Sequence, residues 1–178
     1  IAVEDTECRK RNPEYTKEQV EEEYKRIWNL KQIIWIPQPL VEDDDVRLGP
    51  IDKLEDGTLV WPASFAAHAD EYCRFVGEDT ILLTEVTEEE AASNPVDAEN
   101  KRRIDAAYEI LKNTVLPDGR PLNIIRIPSP KHMHCREKIP WCRDGSNFLT
   151  RSVAPRLMGR LGRRAITACS LLAATATS

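Results

Sequence analysis

The chain of 178 residues lacks the features that mark several common classes of protein. It has no run of about 18 uncharged apolar residues, as a membrane span requires, and its N-terminus lacks the charged-then-apolar layout of a signal peptide. It also lacks an excess of positive charge, and a net charge of -5 argues against a nucleic acid or an anionic membrane as partner. Five cysteines at irregular spacing suit a reducing compartment better than a disulfide framework. We therefore expect a cytoplasmic protein.

The composition fits one globular unit, because 178 residues with 41% hydrophobic content can bury a single core. Apolar runs at residues 32–36, 80–86 and 122–127 predict three strands, of which the first two have the continuous apolar character of buried strands. Two predicted helices alternate with them, in the order helix, strand, loop, strand, helix, strand. This alternation indicates an α/β protein with crossover connections.

The two helices are predicted from their capping residues and from the spacing of apolar positions. Thr16 and Gln19 form a capping box at the start of the first helix. Asn94 and Pro95 open the second. We expect each helix to turn one apolar stripe toward a sheet. The stripes are Val20, Tyr24, Ile27 and Trp28 in the first helix and Ile104, Ala107, Tyr108 and Leu111 in the second.

His68 and Asp70 stand two positions apart, just ahead of an apolar run. If the backbone is extended there, the two side chains leave the same face and point into one site. A carboxylate can pair with a planar guanidinium through two hydrogen bonds, and a neighbouring His can move protons near neutral pH. The pair therefore suits chemistry on arginine-like substrates. The alternative is structural, with His68 capping a strand edge and Asp70 solvated in a loop.

The segment 68–83, H-A-D-E-Y-C-R-F-V-G-E-D-T-I-L-L, resembles the H-x-D segment of agmatine deiminases. These enzymes belong to the guanidine-modifying superfamily that also contains the arginine deiminases. Three further stretches resemble the same family in the same order, so the resemblance covers about residues 1–130. They are E-C-R-K-R-N-P with the T-K-E-Q that follows, I-I-W-I-P-Q-P-L-V-E-D-D-D, and D-G-R-P-L-N-I-I-R-I-P.

Two departures from the family pattern lie next to the H-x-D pair. Relatives generally carry glycine immediately before the His, where this chain has Ala66 and Ala67, so the backbone freedom of glycine is missing there. Many relatives also pass almost directly from the acidic loop to the pair, whereas this chain inserts residues 46–64. The turn signals Gly49-Pro50 and Asp56-Gly57 predict that the insert forms a surface hairpin or flap.

The resemblance implies a partial α/β propeller of pentein type, in which five ββαβ modules surround a central pocket and this chain supplies about two. Residues 1–142 would form the partial domain, and residues 143–178 a basic tail foreign to the fold. No acidic residue follows Asp144 and no lysine follows Lys138. We therefore expect a truncated or frame-shifted chain. The alternative for the tail is a basic amphipathic helix that binds a membrane or nucleic acid.

The activity that the resemblance implies is the hydrolysis of agmatine to N-carbamoylputrescine and ammonia, without a cofactor. A cysteine thiolate attacks the guanidinium carbon, acidic side chains hold the nitrogens, and a His moves protons to the departing ammonia. By resemblance, His68 is the general acid/base and Asp70 is a guanidinium carboxylate. Asp44 and Asp45 of the acidic loop are substrate-binding candidates, although such a charge run is usually a solvated face. None of the five cysteines matches the nucleophile.

One further group of residues has the chemistry of metal ligands. His132, His134, Cys135 and Cys142 offer four potential zinc ligands. They match no standard spacing, and three neighbouring prolines indicate a loop. We therefore expect no metal site.

Two hypotheses about function follow. The first is a guanidine hydrolase of the agmatine deiminase type, present as an incomplete chain that is inactive alone and takes a small cationic guanidine substrate. The second is a non-enzymatic fragment or interaction module that retains the local fold. An open ring would leave strand edges unpaired and apolar faces exposed, so we also expect self-association. The residues expected on those faces are Ile33, Ile34, Leu82 and Leu83.

Overall fold

A computed structural model describes residues 1–44, 49–62 and 67–130, together with the backbone of two short strands at 134–135 and 147–149. The predictions about Asp45 and about the side chains of the potential zinc ligands concern positions outside the described residues, as does that about the tail at 143–178 apart from the backbone of residues 147–149. The strands are β1 (Ala2–Val3), β2 (Trp35–Ile36), β3 (Asp52–Lys53), β4 (Leu59–Trp61), β5 (Cys73–Phe75), β6 (Thr80–Glu85), β7 (Asn123–Pro128), β8 (His134–Cys135) and β9 (Asn147–Leu149). The α-helices are α1 (Lys17–Trp28), α2 (Glu88–Ser93) and α3 (Pro95–Lys112).

The main sheet has three strands in the order β5-β6-β7, and it confirms the predicted α/β crossover. β5 runs antiparallel to β6, while β6 and β7 are parallel and are joined through α2 and α3. The predicted stripe of α3 packs on this sheet, because Ile104, Ala107 and Leu111 are completely buried in the same cluster as Ile81 and Leu83. This cluster is the core that supports the site described below.

The first helix packs against the rest of the molecule over only part of its predicted stripe. The capping box at Thr16 is confirmed, and Val20 is buried against Cys8 and Trp35. Ile27 and Trp28, however, are 54% and 60% exposed, so the prediction that they face a sheet is wrong. The reason is the size of the neighbouring sheet, since β1 and β2 pair over two residues only and do not extend beneath the end of α1.

The predicted strand at residues 32–36 is also shorter than expected. Only Trp35 and Ile36 pair with β1, because β1 itself has two residues. Two of the four residues expected on exposed faces, Ile34 and Leu83, are instead buried in the core. That part of the prediction is wrong, since α3 covers the sheet that the open-ring argument left bare.

The insert forms the predicted hairpin. β3 and β4 are antiparallel with Asp52 opposite Val60, and Gly57 turns the chain with a φ of +85°. β4 also pairs with β9, which gives a second sheet in the order β3-β4-β9-β8. Helix α2, by contrast, was not predicted, although Thr87 and Glu90 form a capping box at its start.

Within the part of the chain that the structure describes, no helix has the length and apolar character needed to cross a membrane.

Candidate active site

The backbone around the H-x-D pair is extended at one residue only. His68 has φ −85° and ψ 147°, but Ala69–Glu71 form a 3₁₀ turn, so the expectation of an extended segment through Asp70 is wrong. The turn forms because Tyr72 is fixed from two sides. Its N–H donates to the carbonyl of Ala69 (3.2 Å), and its buried hydroxyl donates to the carbonyl of Gln38 (2.7 Å).

The turn changes which acid lies beside the histidine. Side chains three residues apart are superposed along a 3₁₀ helix, so Glu71 lies on the same side as His68. Asp43 reaches the same place from the acidic loop. Its Oδ2 accepts a hydrogen bond from the backbone N–H of His68 (2.6 Å) and lies 3.9 Å from His68 Nδ1. The Asp43 and Glu71 carboxylates and the His68 imidazole thus lie within 4.8 Å of one another.

His68 and Asp70 nevertheless share a cavity of about 530 Å³. Its wall also includes Cys73, Arg74 and apolar side chains such as Phe75. The two residues of the pair therefore meet one space, as expected, although the backbone geometry differs from the one predicted. The cavity is large enough for a small linear ligand with one or two charged ends.

The carboxyl group of Glu71 is electrostatically perturbed. Partial burial raises its pKa above the ordinary value, and the nearby charges of Asp43 and Asp70 raise it further, while His68 opposes them. Among the described residues, no Lys or Arg forms an ion pair with Glu71. An arrangement of this kind favours the arrival of a cation, because the cation would relieve the repulsion between the carboxylates.

The described acidic residues of the loop, at 42–44, are buried and not solvated. Asp44 is 3% exposed, and its two carboxylate oxygens accept from Lys10 Nζ (2.6 Å) and Arg103 Nη1 (2.7 Å). The structure therefore brings His68, Asp70, Glu71 and Asp43 together and places Asp44 in a separate ion-pair cluster. The alternative of a solvated face does not hold for Asp43 and Asp44, which are both buried.

Ala67 adopts the backbone conformation that glycine would favour. It has a φ of +60°, in the left-handed region, and is 4% exposed. The hydroxyl of Thr6 donates to its carbonyl (2.9 Å) and so helps to hold this conformation. The glycine-like geometry before His68 is therefore present without glycine, at a cost of about 1–2 kcal/mol for an L-residue in this region.

The two described cysteines lack the properties of a nucleophile. Burial raises the pKa of Cys73 to about 11, and burial also raises the pKa of Cys8. The thiolate is the reactive form, so both side chains stay protonated and weakly reactive near neutral pH. For these two positions the structure supports the expectation that neither is the nucleophile. The other three cysteines fall outside the residues whose side chains are described.

Sequence reasoning missed Asp43 and Glu71 as neighbours of His68. A local signal existed for Glu71, because the i, i+3 spacing from His68 becomes a contact once the segment turns. No local signal existed for Asp43, which lies 25 residues away and across the insert.

Comparison with known proteins gives relatives of one kind. A Shewanella baltica protein provisionally named agmatine deiminase is 29% identical over 149 residues, which is 84% of this chain and 33% of the relative. The corresponding protein of another S. baltica strain is 30% identical over 128 residues, 72% of this chain and 27% of the relative. The chain thus spans about a third of the length of the curated relatives that it matches.

Solved structures show the same fold. The agmatine deiminase of C. jejuni, in a C315S variant with substrate bound, has a TM-score of 0.53 at 23% identity over 76% of this chain and 32% of its own. The agmatine deiminase of Enterococcus faecalis has a TM-score of 0.53 at 18% identity, over 74% of this chain and 29% of its own. These likenesses support the mixed α/β fold of pentein type that the sequence resemblance implied.

Residues 53–152, more than half of the chain, match the family described as Porphyromonas-type peptidyl-arginine deiminase. This span includes the hairpin except for its first residue, and the H-x-D pair, the main sheet and α3. The chain therefore belongs to the family of Porphyromonas-type peptidyl-arginine deiminases.

Proposed function

We propose that this chain supplies the guanidinium-binding and acid–base part of a guanidine hydrolase of the agmatine deiminase type. The observation that carries the proposal is that His68 and Asp70 line one cavity while Asp43 and Glu71 crowd further negative charge against the same histidine. Such a site favours a small cation, and a guanidinium combines that charge with donors matched to carboxylates.

The residues have separate roles in this proposal. Asp70 holds two guanidinium nitrogens, and His68 takes and returns protons at the departing nitrogen. Glu71 adds negative charge beside His68. Asp44 and Asp45 remain predicted substrate-binding residues of the acidic loop, with Asp44 limited to a long-range electrostatic role because Lys10 and Arg103 already occupy its carboxylate.

The nucleophile and the remaining modules are expected to lie outside the described part of the chain. We propose that residues 1–142 form about two of five modules and that this polypeptide alone releases no ammonia from agmatine or arginine. Two observations support the proposed inactivity. The chain matches only about a third of its relatives' length, and the thiols of Cys8 and Cys73 are weakly reactive. A cytoplasmic location stays a prediction.

Binding of agmatine to the 178-residue chain tests the proposal without needing turnover. In ¹H–¹⁵N spectra we expect agmatine to shift the amides of His68, Ala69 and Asp70, with a Kd in the millimolar range for a site with part of its contacts (about −4 kcal/mol). Asp70→Asn should weaken binding about 10- to 100-fold, because one charge-assisted pair is lost.

Asp118→Asn is the matched control, since Asp118 is an exposed carboxylate that pairs with Arg120 in a turn. It should bind agmatine as the unaltered chain does. Agmatine shifts that are absent around His68, or that are unchanged in Asp70→Asn, would refute the proposed role of this site.

The interaction-module hypothesis is favoured by a different observation, the exposure of several large apolar side chains. Trp28 and Val76 are both more than half exposed, and Ile125 on the strand β7 is 44% exposed. Such exposure supports the predicted self-association, as does the position of β7 at the edge of the described sheet. Sedimentation of the intact chain distinguishes the hypotheses, because oligomers without agmatine binding would favour the module.

A further inference from the structure

One face of α3 fastens the acidic loop Val41–Asp44 to the core. Asn100, which is completely buried, accepts the backbone N–H of Val41 at its Oδ1 (2.9 Å) and donates from its Nδ2 to Glu42 Oε2 (2.7 Å). One helical turn later, Arg103 donates from its Nη1 to Asp44 Oδ2 (2.7 Å) and to the carbonyl of Pro39 (2.9 Å). The loop is therefore held near both of its ends.

The two side chains are themselves held in a single orientation. The amide of Asn100 uses its oxygen and its nitrogen in opposite directions, so neither an acid nor a hydrocarbon of similar size could make both contacts. The guanidinium of Arg103 is fixed in its plane by a third bond, from its Nε to Glu99 Oε1 (2.8 Å). The bonds of Asn100 and of Arg103 to the acidic loop are buried, and a buried polar group that loses its hydrogen bond destabilises the protein.

Asp43 lies between the two fastened positions, so the place of its carboxylate follows from theirs. That carboxylate accepts the backbone N–H of His68 at 2.6 Å, a short charge-assisted bond. At the other end of the same peptide group, the carbonyl of Ala67 accepts a hydrogen bond from the hydroxyl of Thr6. The position of the histidine is thus determined through a continuous series of contacts that begins on α3.

We infer that Asn100 and Arg103 are positioning residues for His68, acting through the acidic loop and Asp43 without contacting the ligand. The inference rests on the proposed function for the role of His68 as acid/base, while the series of contacts stands independently of it. The inference adds Asn100 and Arg103 of α3 to the site, although both lie outside the H-x-D pattern.

The test uses the whole 178-residue chain, with ¹⁵N spectra and amide hydrogen exchange. In Asn100→Ala and in Arg103→Lys, we expect the His68 amide resonance to move and its exchange to accelerate about tenfold, as in Asp43→Asn, where the acceptor itself is weakened. The amide of Leu83, in the core strand β6, serves as the reference for global stability. The agmatine Kd should rise in the same variants.

Arg102→Ala is the matched control, because Arg102 neighbours Arg103 and also pairs with Glu99 but is exposed and does not contact the acidic loop. It should leave the His68 amide unchanged. Acceleration at His68 with Leu83 unchanged supports the inference. An unchanged His68 amide, or equal loss of protection at His68 and Leu83, would overturn it. If His68 responds but the unaltered chain binds no agmatine, the positioning stands and the proposed function fails.

Discussion

The acidic residues of this protein fall into two groups with opposite electrostatics. On the α3 side, Asp44 and Glu99 are paired with cations, and hydrogen bonds from Arg102 and then Arg103 lower the pKa of Glu99 to about 2. On the site side, burial and neighbouring carboxylates raise the pKa of Glu71. The comparison separates carboxylates that are paired with cations from a carboxyl group that faces like charges, as the proposed binding site requires.

The two groups meet in the acidic loop, where adjacent residues belong to different groups. Asp43 and Asp44 follow each other in sequence, yet one reaches His68 and the other reaches Lys10 and Arg103. Buried Arg103 and half-buried Lys10 therefore anchor the carboxylate of Asp44, while the preceding residue, Asp43, contacts the histidine. We expect substitutions in the two groups to have opposite effects on stability.

The largest expected effect comes from Arg103→Ala. It removes a cation that binds the buried carboxylate of Asp44, and breaking a buried ion pair by removing one partner costs about 3–5 kcal/mol. Urea unfolding should show a much lower midpoint than for the unaltered chain. Arg102→Ala removes an exposed pair and should cost less than about 1 kcal/mol. Equal losses in the two variants would contradict the claim that the buried pair with Asp44 holds the fold together.

A smaller effect of opposite sign is expected for Glu71→Gln. The pKa of this carboxyl group is higher in the folded state than in the unfolded state. The protonated group therefore does not oppose folding below the pKa of the unfolded state, but the folded state becomes less favourable as the pH rises through the pKa of the folded state. At neutral pH the ionised Glu71 therefore destabilises the fold, and its removal should raise stability by less than about 1 kcal/mol after allowance for solvent screening. The gain should disappear in acid.

The measurement for Glu71→Gln is urea unfolding at a series of pH values, with Glu99→Gln as the companion variant. Glu99 has a lower pKa in the folded state than in the unfolded state, so its ionised form stabilises the fold above the pKa of the unfolded state. This stabilisation is lost as the pH falls toward about 2. Glu99→Gln should therefore be less stable than the unaltered chain at neutral pH and should converge with it in acid. Two variants that shift stability in the same direction would count against the comparison.

The smallest effect is expected for Ala67→Gly, which leaves the charges unchanged and alters only the backbone before His68. Glycine adopts a φ of +60° without the strain of an L-residue but loses more entropy on folding, so we expect a net gain of about 0.5 kcal/mol. Thermal unfolding would detect it as a modest rise in Tm. A clear loss of stability would mean that the buried Ala67 methyl contributes more than its conformation costs.

Parts of the fold that depend on local chemistry could be predicted from the sequence. The caps at Thr16 and Asn94, the stripe of α3 and the hairpin of the insert each follow from residues close together in the chain, and all are confirmed. Helix α2 had the same kind of signal in Thr87 and Glu90 but was overlooked. These elements needed no knowledge of distant contacts.

The site depends on contacts between distant residues, and there prediction failed in its details. The 3₁₀ turn after His68 requires Tyr72 to reach Gln38, 34 residues earlier. The pairing of Asp44 with Arg103 spans 59 residues. The sequence pattern identified His68 and Asp70 as a pair, but it could not indicate which neighbouring acid would lie beside the histidine and which would be buried in an ion pair.

The central claim is that the carboxyl group of Glu71, beside His68, faces other negative charges, while that of Glu99 on α3 is paired with arginines. It is tested most directly by titrating the side-chain carboxyls of Glu71 and Glu99 in one sample by ¹³C NMR. We expect Glu71 to titrate above the ordinary glutamate pKa and Glu99 at about 2, and we expect agmatine to lower the pKa of Glu71 while leaving that of Glu99 unchanged. Two carboxyls that both titrate at the ordinary value would contradict the account.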